Sequence, residues 1–409
     1  MNILQVNTTD TRGGAAKVAY LLKKGLEKSG HTTSMFVGQK YSNDENVFLL
    51  NDVRSLAGKI RRKLAYWLAN DIDVFNSGHI LKTEQFKNAD IVHCHNLHSN
   101  YFNLNTLQKI SRLKPVIWTL HDMWPITAHC AHAFDGPLKE NGFFTCPSLD
   151  IYPPIAWHNE KYLEKRKGGI YQNSKFNIVT PSKWLAEKVS QSALKEKMLS
   201  VIYNGVDTNT FHPLPKEQCR KELNLPLDKK IILSFIKKTD DQWKGLPFIT
   251  EITERFKNNE GITFINIGRT TGNRNNLSSL PPVGNDETLS KYYSAADALL
   301  YPSIADNCPL VVLEAMACGL PVVSFDTGWV PELVEHKING YVAEYKNSDD
   351  LKTGVEYLLN LPPQEIEKMK QYSINKIKSS FTLDLMTNKY IQLYESALAK
   401  FAAPLNEQY

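Results

Sequence analysis

The stretch "DALLYPSIADNCPLVVLEAMACGLPVVSF" (297–325) reads as strand, loop, helix and strand in succession. Its ends, "DALLYPS" (297–303) and "PVVSF" (321–325), are strand-sized apolar runs. Between them Pro309 suits the first turn of a helix, Gly319 ends it after about Cys318, and Pro321 prevents its continuation. A helix starting at such a loop offers unpaired N–H groups and the positive end of a dipole, which suits a phosphate. Leu310 and Val311 would supply those backbone donors. Glu314 lies further along the helix, where a carboxylate can accept from two adjacent hydroxyls, as on a ribose. Asp306, in the loop, would face whatever lies beyond the phosphates. A solvated Asp and an ordinary helical Glu explain the same letters.

The alternation extends outward from this unit. "KKIILSFI" (229–236) and "GITFINIG" (261–268) precede it as strands. At the other end of the chain "NILQVN" is a strand, followed by a glycine loop, the helical pattern "AAKVAYLLKKGLEKSGH" and the strand "TTSMFVG". "DIVHCHNL" (90–97), "PVIWTLHD" (115–122) and "KFNIVTPS" (175–182) are further short β-rich runs. Strands alternating with helices predict an α/β protein whose parallel sheets are covered on both faces. "VIYNGVDTNTFHPLP" (201–215) interrupts the pattern with Asn-Gly and prolines, as a linker would. The expected architecture is two Rossmann-like, doubly wound domains, 1–208 and 209–384. A C-terminal helix over 385–409 is expected to pack back on the first. Ligands of such sheets sit beyond the carboxyl ends of the strands, so the expected site is a central cleft that both domains face.

At 409 residues the chain is too long for one ordinary core, in keeping with two domains. A net charge of +5 spread over that length argues against a nucleic-acid partner and is compatible with anionic small ligands or an anionic membrane surface. The apolar runs are too short to span a bilayer. "MNILQVNTTDTRGG" shows neither the basic nor the apolar region of a secretory signal. Six scattered cysteines (94, 130, 146, 219, 308, 318) predict reduced thiols in a cytoplasmic protein, not a disulfide framework. "GKIRRKLAYWLAN" (58–70) combines four cations with Ile60, Leu64, Tyr66, Trp67 and Leu68. It reads equally as an ordinary surface helix or as an element that touches a membrane or a lipid-linked acceptor.

Taken together, "PS", the pair Asp306 and Glu314, "EAMACGLPV", "TLHDMWP", "PSKWL" and "NGVDTNTFHP" resemble the retaining glycosyltransferases of family 4, from Met1 to about Tyr357. The resemblance implies the GT-B fold and transfer of a sugar, hexosyl or N-acetylhexosaminyl, from a nucleoside diphosphate sugar. The donor would be UDP- or GDP-linked, and the acceptor a saccharide or lipid-linked hydroxyl in surface glycan synthesis. It implies no metal and no other cofactor. It assigns Glu314 to the ribose, Asp306 and His121 to the hexose, with Asn307 beside them, and Leu310 and Val311 to the phosphates. Gly13 and Gly14 of "TTDTRGGAAKVA" (8–19) fit the family's N-terminal glycine loop, where backbone approaches a diphosphate closely. Relatives usually have Glu where Asp306 stands, and Asp is one methylene shorter. They also supply an Arg followed by Lys-Gly: "SFIKKTDDQWKG" (234–245) gives Lys244 and Gly245 but no Arg. Lys238, Lys237 and Arg269 are the candidates for its role, Lys238 foremost. Closure of the two domains would exclude water from the reaction.

Other groupings compete with this reading. "DID" (71–73) is the D-x-D of metal-dependent transferases of another fold, but follows a basic helix and not a strand. His129, Cys130, His132 and Cys146 form a conceivable zinc set, or an ordered loop with or without a disulfide. Strand alternation sends His93 and His95 to one face together. The alternatives to transfer are a non-catalytic sugar-nucleotide-binding scaffold of a polysaccharide assembly complex, and an epimerase acting on the donor itself. A cytoplasmic protein, peripheral at the inner face of the membrane through 58–70, is the expected location.

Overall fold

A computed structural model describes residues 1–236, 242–268 and 276–402 of the chain. It divides into two compact units, 1–203 with the C-terminal segment from 386, and 204–385.

The first unit is a seven-stranded parallel sheet of β1 (Asn2–Thr9), β2 (Thr32–Gln39), β3 (Val47–Leu49), β4 (Ile91–Cys94), β5 (Val116–Thr119), β6 (Asn177–Thr180) and β7 (Leu199–Val201). Its spatial order is β3-β2-β1-β4-β5-β6-β7. The central strands β4 and β5 are buried at every residue, as a sheet covered on both faces requires. One cover is the helix Gly14–Lys28, whose buried Ala16, Ala19, Leu22 and Leu26 recur at helical spacing. Another is the terminal helix Leu383–Ala402, which buries Met386, Tyr390, Tyr394 and Ala397. Tyr394 Oη lies 2.6 Å from His93 Nδ1, and Tyr390 Oη lies 2.9 Å from Thr119 Oγ1. Hydroxyl ends on buried tyrosines are satisfied in this way by polar groups of the sheet itself.

The second unit is a six-stranded parallel sheet of β8 (Lys230–Phe235), β9 (Ile262–Ile267), β10 (Leu277–Leu280), β11 (Ala298–Tyr301), β12 (Val322–Phe325) and β13 (Gly340–Ala343). The order β10-β9-β8-β11-β12-β13 repeats the winding of the first sheet. Each sheet therefore reverses direction once, between β1 and β4 in the first and between β8 and β11 in the second. Loops leaving adjacent strands diverge at such a reversal and open a crevice for ligand.

The cysteines correct one expectation. Cys130 and Cys146 are joined by a disulfide, while Cys94, Cys219, Cys308 and Cys318 are free. Bridges of Phe144 to Thr127 and Leu138 fold the segment back on itself and bring the pair together, which scattered spacing did not reveal. The conceivable zinc set is thereby dismantled. His129 Nδ1 lies 2.9 Å from the Pro153 carbonyl, and His132 Nδ1 accepts from Phe134 N–H at 2.9 Å. The aspartates of "DID" also have structural partners: Asp71 accepts from the Trp124 indole at 3.0 Å, and Asp73 pairs with Arg166 at 3.2 Å.

Candidate functional site

In the second unit the reversal is bridged by charge. Lys244, from the loop after β8, pairs with Asp306, from the loop after β11, and the Tyr301 hydroxyl donates to the same Asp306 oxygen. Two glycines make this approach possible. Gly245 sits at φ +80° and Gly328 at φ +54°, and a Cβ would collide with the carbonyl of Pro302 at the first and of Asp306 at the second. The loops are further tied by Ile304 N–H and Ser303 Oγ donating to the Trp243 carbonyl at 2.8 and 3.0 Å. Burial opposes the Lys244 ammonium, but Asp306 beside it prevails and holds its pKa well above the ordinary value. Burial likewise opposes the Asp306 carboxylate, and Lys244 and Tyr301 together keep it below the usual range. The pair is thus ionised at neutral pH.

The helix after this loop spans Leu310–Ala317, with Pro309 at its cap and no side chain capping it. The Pro309 carbonyl accepts from Val312 and Leu313 N–H, so the Leu310 and Val311 N–H groups precede the first intrahelical bonds. Asn307 and Glu314 are buried. Glu314 Oε2 accepts from the Tyr293 hydroxyl at 2.9 Å. A carboxylate oxygen has more than one lone pair, so this bond aims the group without exhausting it. Lys237, Lys238 and Arg269 lie outside the described residues.

In the first unit the loop after β1 carries Gly13, at φ +107°, and Gly14, the first residue of its helix. A Cβ at either would meet nothing within 4 Å, so packing does not account for these glycines. The loop is anchored by a residue that sequence reading passed over. Asp10, fully buried, accepts from the N–H groups of Thr11, Tyr41 and Ser42 at 2.7–3.0 Å. A carboxylate held by backbone N–H groups from a distant loop has no sequence signature to be found by.

His121 follows β5 and His95 follows β4. His121 Nε2 lies 2.9 Å from His95 Nδ1, with the rings stacked. His93 and His95 share a face as alternation requires, their ring centroids 4.1 Å apart. Asp122 is committed to the scaffold: it pairs with His98 Nε2 at 2.7 Å and accepts from Trp124 N–H at 2.9 Å. The turn beyond it is held by Lys167, which is buried, donates to the Trp124 and Thr127 carbonyls at 2.7 and 3.1 Å, and stacks on the Trp124 ring. Burial lowers the Lys167 pKa to about 7 against the pull of Asp71 and Asp122.

The His93, His95 and His121 imidazoles are neutral. Burial lowers His93 to about 3 and, against Asp122, His121 to about 4, and it holds His95 well below the ordinary value. At neutral pH His121 is therefore a hydrogen-bonding group without charge. Unfolded imidazoles take up a proton near pH 6.5, as a rough reference. Between that value and the native ones the unfolded state binds more protons, so stability rises with pH. The contribution is complete above about pH 6.5 and is lost on acidification, at about 1.4 kcal/mol per imidazole per pH unit. A melting series is expected to show Tm falling steeply below about pH 6.5; a Tm unchanged down to about pH 5 would contradict neutral burial.

Comparisons with known proteins match this architecture. The chain has the GT-B fold. It superimposes on sucrose-phosphate synthase of Thermosynechococcus elongatus with a TM-score of 0.69 and 16% identity, over 97% of this chain and 99% of that one. Anabaena HepE, solved in complex with UDP, gives 0.67 and 16% over 97% and 100%. The Glycosyltransferase Family 4 model matches residues 12–210, and the Glycosyl transferases group 1 model matches 215–378. Among curated relatives, WcaC of Escherichia coli K12, a glycosyl transferase assigned to colanic acid biosynthesis, is 23% identical over 97% of this chain and all of its own. An uncharacterised glycosyltransferase of Methanocaldococcus jannaschii is 25% identical over 94% and 95%. The chain is a glycosyltransferase family 4-like protein.

Proposed function

We propose that the protein transfers a hexosyl or N-acetylhexosaminyl group from a nucleoside diphosphate sugar to a hydroxyl of a saccharide or lipid-linked acceptor, with retained anomeric configuration. The reaction serves surface glycan synthesis at the cytoplasmic face of a membrane. The observation that carries this reading is the Lys244–Asp306 pair across the β8/β11 reversal, one loop away from the uncapped start of Leu310–Ala317. A cation and free N–H groups at a topological reversal suit a diphosphate. HepE, of the same fold, has been solved with UDP-glucose, and WcaC is assigned to a polysaccharide pathway; both support this donor and product class.

In this reading the bond between the anomeric carbon and the phosphate oxygen breaks as the acceptor oxygen attacks the same face of the sugar. The acceptor's proton passes to the departing phosphate. Lys244, Lys238 and the Leu310 and Val311 N–H groups stabilise the charge that develops there, and no metal is required. Glu314 holds the ribose, Asp306 and Asn307 the hexose, and Gly13 and Gly14 allow backbone to approach the phosphates. The neutral His121 hydrogen-bonds the hexose at the reacting centre, oriented by His95. Replacing His121 by Ala is expected to lower turnover by about a hundredfold with little change in donor affinity. Wild-type turnover in that variant, read as nucleotide release from the donor, would remove His121 from the reacting centre.

A further inference from the structure

The helix Leu56–Trp67 in the first unit has its apolar side on the outside. Only Gly58 and Ala65 are buried, and Gly58 sits so close to Asp52 and Val53 that a side chain there would collide with their backbone. At about 100° per residue, Leu56, Ile60, Leu64 and Trp67 share one arc, roughly opposite that narrow seat. Their exposures run from 48% to 77%. A helix on a globular surface normally turns such a stripe inward.

Two further features extend the stripe. Leu68 follows it, exposed, and Trp157 from a distant loop joins its end: the Trp157 indole donates to the Trp67 carbonyl at 2.9 Å, and Ala156 N–H donates to the Tyr66 carbonyl at 3.2 Å. Trp157 is itself half exposed. These bonds satisfy terminal carbonyls of the helix while setting a second indole beside Trp67. Lys59, Arg61, Arg62 and Lys63 are also exposed, no Asp or Glu occurs between 56 and 70, and none of the four cations is paired with a carboxylate among the described residues. By the same spacing Lys63 and Lys59 flank the stripe on one side and Arg61 on the other, while Arg62 turns toward the Gly58 side. Apolar and indole groups with unpaired cations at their margin complement a surface that is anionic outside and apolar beneath.

We infer that Leu56–Leu68 and Trp157 form a surface that docks on an anionic lipid bilayer, with the indoles at the level of the head groups. This deepens the membrane location given above, but its test needs neither donor nor acceptor, so its failure and that of glycosyl transfer are separable. The full chain is sedimented with vesicles of phosphatidylcholine alone and of phosphatidylcholine mixed with phosphatidylglycerol. Binding to the mixed vesicles only, weakening as salt is added, is expected. The double variant Lys59→Gln/Lys63→Gln should bind about thirtyfold more weakly, at the usual contribution per cation. Trp67→Ser should also lose binding, with an unchanged melting temperature, because its side chain projects outward and the Trp157 indole, which holds the Trp67 carbonyl, is left in place. Equal binding to both vesicles, binding to neither, or wild-type binding by both variants would overturn the inference. So would a dimer in solution that Trp67→Ser converts to monomer, since the stripe would then be covered by a second copy.

Discussion

Lys244→Ala is expected to reduce donor turnover by about 10²–10³-fold, the usual effect of removing one preorganised group that meets developing charge. The ammonium is already fixed by Asp306, and the loops that carry the two residues are locked by Gly245, Gly328 and the Trp243 carbonyl. No reorganisation is then needed when the leaving diphosphate gains charge. A rival account gives Lys244 no part in catalysis beyond neutralising a partly buried Asp306. The two accounts differ in the double variant Lys244→Ala/Asp306→Ala. If Lys244 only neutralises, removing both groups should restore activity relative to the single variant; if both meet the donor, the double variant stays inactive. Nucleotide release from the donor reads both.

Glu314→Ala is expected to weaken donor binding by about a hundredfold or more, since two hydroxyls would lose a charged acceptor at roughly 1.5–3 kcal/mol each. It should also destabilise the fold, because the buried Tyr293 hydroxyl loses its acceptor at a cost of about 1–3 kcal/mol. Glu314→Gln separates the two effects. Its amide oxygen can still accept from Tyr293, so stability should recover largely while donor affinity does not. Full recovery of both would make Glu314 a structural residue only.

The fold was legible because its strands are buried on both faces and their apolar runs are uninterrupted, as "DALLYPS" and "PVVSF" show. The candidate residues near strand ends were legible for the same reason: once β11 is placed, Asp306 must lie in the loop beyond it. What remained hidden depends on long-range approach. Nothing local marks Tyr293 as the partner of Glu314, Tyr301 as the partner of Asp306, or Gly328 as the glycine that lets backbone pass Asp306. The Cys130–Cys146 bond was missed because the return of 126–146 on itself is set by isolated bridges and not by a strand pattern. The composition of 58–70 was plain in the sequence. That its apolar side faces outward was not, because Ile60, Leu64 and Trp67 at helical spacing ordinarily form an inner face.

The proposed transfer requires the second unit to bind a nucleoside diphosphate through Lys244, Glu314 and the start of Leu310–Ala317. Its most direct test is thermal unfolding of the full chain titrated with UDP, GDP and their sugar conjugates, with Lys244→Ala and Glu314→Gln alongside. One nucleotide series should raise the wild-type Tm in a saturable way, and both variants should lose most of that rise. A wild-type Tm indifferent to every nucleotide, or an equal rise in both variants, would contradict it.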